Sequence, residues 1–268
     1  MSEDPRPGAN NLFGGGPSPA WIADPIVQCL VIVAILSAIF VFFPALDIWF
    51  TNLFHAPGDG FPVADLPAFL AIRELHSLMT WIIALAMAGA LIYKIALPWR
   101  RTLVPVRDII FILGTLALGP GIVVNGLFKS FSGRPRPYQV DLFGGDMPFI
   151  SAWHFTDYCH RNCSFVSGEA SSAIWLITAA VLVPERWRPT AVRVLLVLGI
   201  VFAVNRIAFG RHFLSDVLIA WFVTLAIIAV FWRYLYADPP PALREVKLEA
   251  DVARFGMALR RPFTRSGA

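Results

Sequence analysis

Three short segments concentrate the residues able to do chemistry: KSFSGRPRP at 129–137, SFVSGEASS at 164–172 and NRIAFGRHFLSD at 205–216. In the first, Lys129 and Arg136 are separated by a Gly/Pro-rich turn that can bring them back together. Arginine grips phosphate oxygens with a planar, bidentate fork, and lysine adds a point charge. Taken alone, two basic side chains at the edge of an apolar run are equally accounted for by snorkelling. In the second, Ser167-Gly168 stands just before an apolar helix, where free backbone N–H groups bind anions. The plain alternative is an N-cap, with Ser167 capping and Glu169 in the first turn. In the third, His212 and Asp216 are four apart and share a helix face, with Arg206 across the preceding turn. Asp216 can accept a proton from one ring nitrogen, which fixes the tautomer and frees the other nitrogen as a nucleophile. A structural His–Asp pair is the alternative, yet a carboxylate this close to a spanning helix marks function by default. Together the segments offer a cation clamp, a backbone anion site and an oriented nucleophile, the parts needed to hold a phosphate and attack it.

The elements that must position these residues are hydrophobic. The chain has 268 residues, 57% hydrophobic and only 15% charged, with a mean hydropathy of +0.65. A soluble domain carries far more charge, so the expectation is an all-α polytopic membrane protein of one domain. A span needs about 20 apolar residues. Six runs qualify or nearly so: 26–43, 79–97 with an amphipathic lead-in from 66, 109–128, 170–183, 192–209 and 213–234. The fourth is short and can begin earlier. Residues 1–24, rich in Gly, Pro, Asn and Ser, read as a flexible arm, 25–235 as the six-span domain and 236–268 as a basic tail. No small-residue cleavage site follows the first run, so it is expected to stay as an anchor. Gly119-Pro120-Gly121 predicts a bend within the third run.

Charge sets the orientation. Lys94, Arg100, Arg101 and Arg107, then Arg186, Arg188 and Arg193, then the arginines of the tail all fall on one side of a six-span layout. The positive-inside rule makes that side cytoplasmic, with both termini inside and the three reactive segments on the periplasmic face of the inner membrane. Lys129, Arg134, Arg136, Arg161 and Arg211 run against this bias, which calls for a functional reason. The net charge is only +4, so a pI near 9.2 is no argument for nucleic acid as a partner. Cys159 and Cys163 lie in a polar loop; if it is periplasmic a disulfide between them fits that oxidising compartment, and two free thiols are the alternative. His154, Cys159, His160 and Cys163 match no common zinc spacing. Cys29 reads as a buried, inert thiol.

The three segments resemble the type-2 phosphatidic acid phosphatase superfamily. Its pattern is Lys, six residues, Arg-Pro; then Pro-Ser-Gly-His; then Ser-Arg, five residues, His, three residues, Asp. The first block matches at Lys129, Arg136 and Pro137, and the third at Arg206, His212 and Asp216, with Asn205 in place of Ser. The middle block departs: Val166-Ser167-Gly168-Glu169 replaces Pro-Ser-Gly-His. The resemblance implies six spans, His212 attacking phosphorus to form a phosphohistidine, and Asp216 orienting it. It further implies Lys129, Arg136 and Arg206 neutralising the phosphoryl oxygens, Ser167 and the Gly168 N–H adding hydrogen bonds, and no metal or other cofactor. Asp47 with Phe54, GRPRP, Gly144-Gly145 and CSFVSGEASS also look like bacterial lipid A phosphatases.

Glu169 occupies the place of the family's proton-donating histidine, and three readings stand open. It is a general acid with a raised pKa, or it binds substrate while water supplies the proton, or the site is impaired. The function expected first is hydrolysis of a lipid phosphate monoester, with lipid A-type substrates ahead of phosphatidic acid, phosphatidylglycerol phosphate and undecaprenyl diphosphate. A lipid phosphotransferase using the same intermediate is the second reading. A catalytically silent lipid-binding protein, supported by Glu169 alone, is the third.

Overall fold

The computed structural model describes residues 23–264 apart from 102 and 161, so all but the last two residues of the expected N-terminal arm lie outside it. The architecture is helical: α1 (Pro25–Phe42), α2 (Ala45–Asn52), α3 (Pro67–Ala96), α4 (Val106–Leu116), α5 (Lys129–Phe131), α6 (Gly168–Trp175), α7 (Arg188–Ala208), α8 (Leu214–Trp232) and α9 (Glu245–Thr264). Among the described residues, five stretches are long and apolar enough to cross a bilayer: Pro25–Phe42, Pro67–Ala96, Val106–Phe128, Glu185–Ala208 and Leu214–Ala237.

Local chemistry explains where the spans begin and how they bend. Asp24 caps α1, its Oδ1 accepting from Ile26 N at 2.9 Å, and Pro25 sits in the first turn, where its missing N–H costs nothing. The amphipathic lead-in and the second apolar run form one 30-residue helix, α3. The expected disturbance at Pro120 is a change of winding: α4 passes into a π-wound segment over Ala117–Phe128. Such a segment relocates the backbone bonds a proline removes, and Asn125 Nδ2 donates to Pro120 O at 2.6 Å.

The fourth apolar run differs most from expectation. It comprises the 8 α-helical residues of α6 and 7 residues of 3-10 helix, Leu176–Leu182. At ~1.5 and ~2.0 Å rise per residue these reach about 26 Å. The run is central rather than lipid-facing: Ala170, Ala173, Ile174, Trp175 and Leu176 are all buried against α7, α8 and the π-wound segment. Trp175 Nε1 donates to Ile112 O at 3.0 Å and to Thr115 Oγ1 at 3.1 Å, so its one polar atom is satisfied in the core.

The basic tail contains a docked helix. α9 packs on α3 and α4, with Leu248 in the same core cluster as Val106 and Ile109. Glu249 pairs with Lys94 at 2.7 Å and accepts from Val106 N at 3.0 Å. A carboxylate thereby caps the N-terminus of α4, which has no local cap.

At the opposite end of the bundle, the segment between α5 and α6 crosses as an irregular strap. It is tied down by Tyr138 N to Gly210 O (3.0 Å), Thr156 N to Ser132 O (3.2 Å), Cys159 N to Gly133 O (3.0 Å) and Ser164 N to Arg134 O (2.9 Å). Gly133 has φ +60°, and a Cβ there would lie 1.4 Å from Thr156 O. Only glycine fits a left-handed backbone so close to its neighbour.

Candidate active site

The ends of α3, α6, α7 and α8, with α5 and the strap, converge on one charged region. Its deepest part is a buried network around Arg134. Arg134 Nη1 donates to Asp216 Oδ1 at 2.5 Å and to Ser215 Oγ at 2.9 Å, Nη2 to Asp47 Oδ2 at 2.8 Å, and Nε to Ile150 O at 2.8 Å. The second oxygen of Asp216 accepts from Ser164 Oγ at 2.5 Å and from Phe213 N at 2.8 Å. Asp47 also accepts from Ser215 N at 2.8 Å. The side chains of Asp47, Arg134, Ser164, Ser215 and Asp216 are essentially sealed from solvent.

His212 lies against this network, 1% exposed. Its Nδ1 is 2.9 Å from Ser164 O, while Asp216 Oδ2 is 3.7 Å away. The direct His–Asp hydrogen bond expected from the four-residue spacing is thus replaced by one to a backbone carbonyl. The reason is occupancy: both Asp216 oxygens are engaged by Arg134, Ser164 and Phe213. A carbonyl only accepts, so Nδ1 carries the proton and Nε2 keeps its lone pair. Asp216 acts on the ring as a nearby negative charge.

The accessible part of the site is a cavity of about 580 Å³ lined by Lys129, Arg136, Arg206, Glu169, Asn162, Arg73 and Arg211, among others. The three cations expected to form the clamp therefore share one pocket. Arg136 directs Nε and Nη2 at Asn162 O, at 3.0 and 2.8 Å. Arg206 ion-pairs with Glu169, whose other oxygen is 3.8 Å from Arg73 Nε. His212 itself is sealed and is not among the residues that line this cavity.

Electrostatics follow from burial. Desolvation holds His212 below the ordinary 6.5 despite the pull of Asp216, which favours the neutral imidazole. Burial, and then Arg136, hold Lys129 below its ordinary 10.5. Burial pushes Asp47 up, against the pull of Arg134. Burial alone would depress Arg134, but Asp216 and Asp47 outweigh it and hold the guanidinium above its usual range.

Ser167 takes the capping option: its Oγ accepts from Ala170 N at 3.1 Å, and it is buried. Gly168 is packed so tightly that a Cβ would lie 2.5 Å from Asn125 Oδ1. With Glu169 and Lys129 it lines a second groove of about 410 Å³ that continues between α3 and the π-wound segment. Cys159 and Cys163 are disulfide-bonded, which removes both thiols from any metal-ligating role. The charge bias marked Arg134 and Arg211 as functional without giving them roles; sequence reasoning missed the hub role of Arg134, Arg73 as a further cation, and Ser164 as the acceptor for His212. A signal existed for one partner: Asp47 interrupts an apolar stretch, and a lone carboxylate there requires a cation.

Comparison with known proteins finds a family match that spans all three reactive segments. Residues 108–239 match the family described as the PAP2 superfamily. The chain is 35% identical over 211 residues to a lipid A 4'-phosphatase of Rhizobium leguminosarum, covering 72% of this chain and 89% of that one. It is 35% identical to the Rhizobium etli protein of the same name, covering 72% and 80%. With the lipid A 4'-phosphatase of Francisella tularensis subsp. novicida it shares 32% identity, covering 78% and 96%. No solved structure matches it. On this similarity, spread over most of both chains, the protein belongs to the PAP2 superfamily.

Proposed function

We propose that this protein is a membrane phosphatase that hydrolyses a lipid phosphate monoester through a phosphohistidine on His212. The observation that carries the reading is the combination of a sealed imidazole, whose Nδ1 is committed to Ser164 O, with a pocket shared by Lys129, Arg136 and Arg206. The phosphoryl group lies among the three cations, which oppose the charge on its oxygens. Nε2 donates its lone pair to phosphorus, and the bond to the lipid oxygen breaks. The departing alkoxide takes a proton from water. A second water then adds to phosphorus, Nε2 leaves with its electron pair, and inorganic phosphate departs, its proton neutralising the hydroxide formed in the first step. Phosphorylated His212 is cationic, and the Asp216 carboxylate 3.7 Å from its Nδ1 favours that intermediate. The clamp supplies the positive charge that a metal ion supplies in other phosphatases.

Glu169 serves as a partner to Arg206 and Arg73 rather than as proton donor, in keeping with its ion pairs. The Gly168 N–H at the start of α6 is assigned as a further donor to the phosphate oxygens. The Gly168–Leu182 run is the sixth span, its compact reach offset by burial within the bundle. The site faces the periplasm, a reading supported by the basic residues at the other end and by the disulfide on this one. The names of the relatives favour a lipid A-type substrate. Phosphate release from lipid A, phosphatidic acid and polyprenyl diphosphate, measured with purified protein in chelator, tests the reading. Release from a lipid monoester without a lipid acceptor is expected. Transfer to a second lipid without free phosphate would favour the phosphotransferase, and binding without turnover the silent protein.

A further inference from the structure

We propose that the Cys159–Cys163 disulfide is a positioning device for the site, setting Arg136 through the carbonyl of Asn162 and His212 through the carbonyl of Ser164. The inference rests on the phosphatase reading for its consequence, though not for its geometry. Cys163 stands between the two carbonyls in the chain. On one side, Asn162 O takes both Nε and Nη2 of Arg136, at 3.0 and 2.8 Å. This leaves three of the five guanidinium N–H groups for phosphate oxygens. On the other side, Ser164 O takes His212 Nδ1 at 2.9 Å, and Ser164 Oγ takes Asp216 Oδ2 as its acceptor at 2.5 Å.

No helix runs through the described residues of this stretch. Asn162 has φ +55°, a left-handed conformation that asparagine tolerates but that its surroundings must impose. The ring closed by the two cysteines spans only four positions in sequence. It is pinned at both margins to the GRPRP turn, by Cys159 N on Gly133 O at 3.0 Å and Ser164 N on Arg134 O at 2.9 Å. The bond therefore joins the cation clamp to the nucleophile's support across a single residue. Forming it removes two electrons and two protons from the thiols, taken up by a disulfide oxidant of the thiol-exchange class. In a reducing compartment the thiols persist, and the chain has both carbonyls on a loop free to leave their donors. The site is then complete only where the protein meets such an oxidant.

The test uses the full-length protein purified in detergent, oxidised or reduced by a phosphine, which becomes phosphine oxide as water supplies the protons. Two quantities are read: calorimetric affinity for inorganic phosphate, and KM and kcat for a lipid phosphate. Reduction is expected to weaken phosphate affinity by roughly tenfold, the scale of charge-assisted bonds lost from Arg136, and to raise KM with it. In Arg136→Lys, whose side chain cannot make the forked contact, reduction is expected to change affinity less than about twofold, so the two perturbations are not additive. Chemical reduction of folded protein avoids reliance on a Cys159→Ser/Cys163→Ser variant that fails to fold, and that variant, where it folds, should match the reduced protein. Unchanged phosphate affinity on reduction overturns the proposal. So do equal losses in wild type and Arg136→Lys, the outcome of a merely structural bond. Phosphate binding is read without turnover, so a protein that binds phosphate but hydrolyses no lipid refutes the phosphatase reading while leaving this coupling to be judged by itself.

Discussion

The mechanism proposed for His212 turns on which nitrogen is free, and that is set by a backbone carbonyl rather than by the motif's own aspartate. Four further residues, Lys129, Glu169, Arg136 and Asn162, bear on this chemistry. Lys129 is held below its ordinary value by burial and by Arg136, so its charge is lost at a lower pH than in an exposed lysine. The basic limb of kcat/KM is therefore expected below pH 10.5, and Lys129→Arg should move it upward, since guanidinium does not deprotonate there. A limb unmoved by that change would remove Lys129 from the clamp. Glu169 is paired with Arg206, which under the proposed mechanism it shares with the incoming phosphate. Glu169→Gln should tighten inhibition by inorganic phosphate severalfold and lower kcat by less than about tenfold, whereas loss of a general acid costs roughly 10²–10⁴; steady-state kinetics with phosphate as inhibitor distinguishes the two. Arg136 and Asn162 show why part of the site could be read from sequence and part could not. The motif spacing identified the cation, but a carbonyl acceptor has no residue-type signature.

Among the elements, α6 and the strap carry most of the positioning. Arg134 links the strap to α2 and α8 through Asp47 and Asp216. Removing it strands two buried carboxylates, so Arg134→Leu is expected to cost about 3–5 kcal/mol, read as a lowered melting temperature and loss of phosphate binding in detergent. A stability change within about 1 kcal/mol would contradict the hub assignment. Hydropathy located the long helices because their apolar windows exceed a bilayer's thickness. It placed the ends of α1 and α7 within a few residues, where Asp24-Pro25 and Pro189 supply start signals. It also gave α3 its amphipathic lead-in from 66, and it located the short fourth run but not the change from α-helix to 3-10 helix at Leu176, which has no compositional marker. The docking of α9 was invisible for another reason: its contacts join Glu249 to Lys94 and Val106, some 150 residues away in sequence, and local pattern holds no record of such pairs.

For the whole molecule, the reactive residues gather at one end of the bundle and α9 with its basic partners at the other. That polarity is what the charge bias anticipated from loops alone. We expect a membrane-impermeant thiol reagent to label a cysteine placed at exposed Tyr138 in intact inner-membrane vesicles of right-side-out orientation, and one placed at Trp187 only after permeabilisation. The reverse pattern would invert the orientation. The claim on which the rest depends is nucleophilic attack by His212, and phosphate release from a lipid monoester by wild type and His212→Ala, both in chelator and both shown to be folded, tests it most directly. The account predicts release by wild type and a loss of at least ~10⁴-fold in the variant, as when a covalent nucleophile is removed. Turnover in His212→Ala within about tenfold of wild type would contradict it.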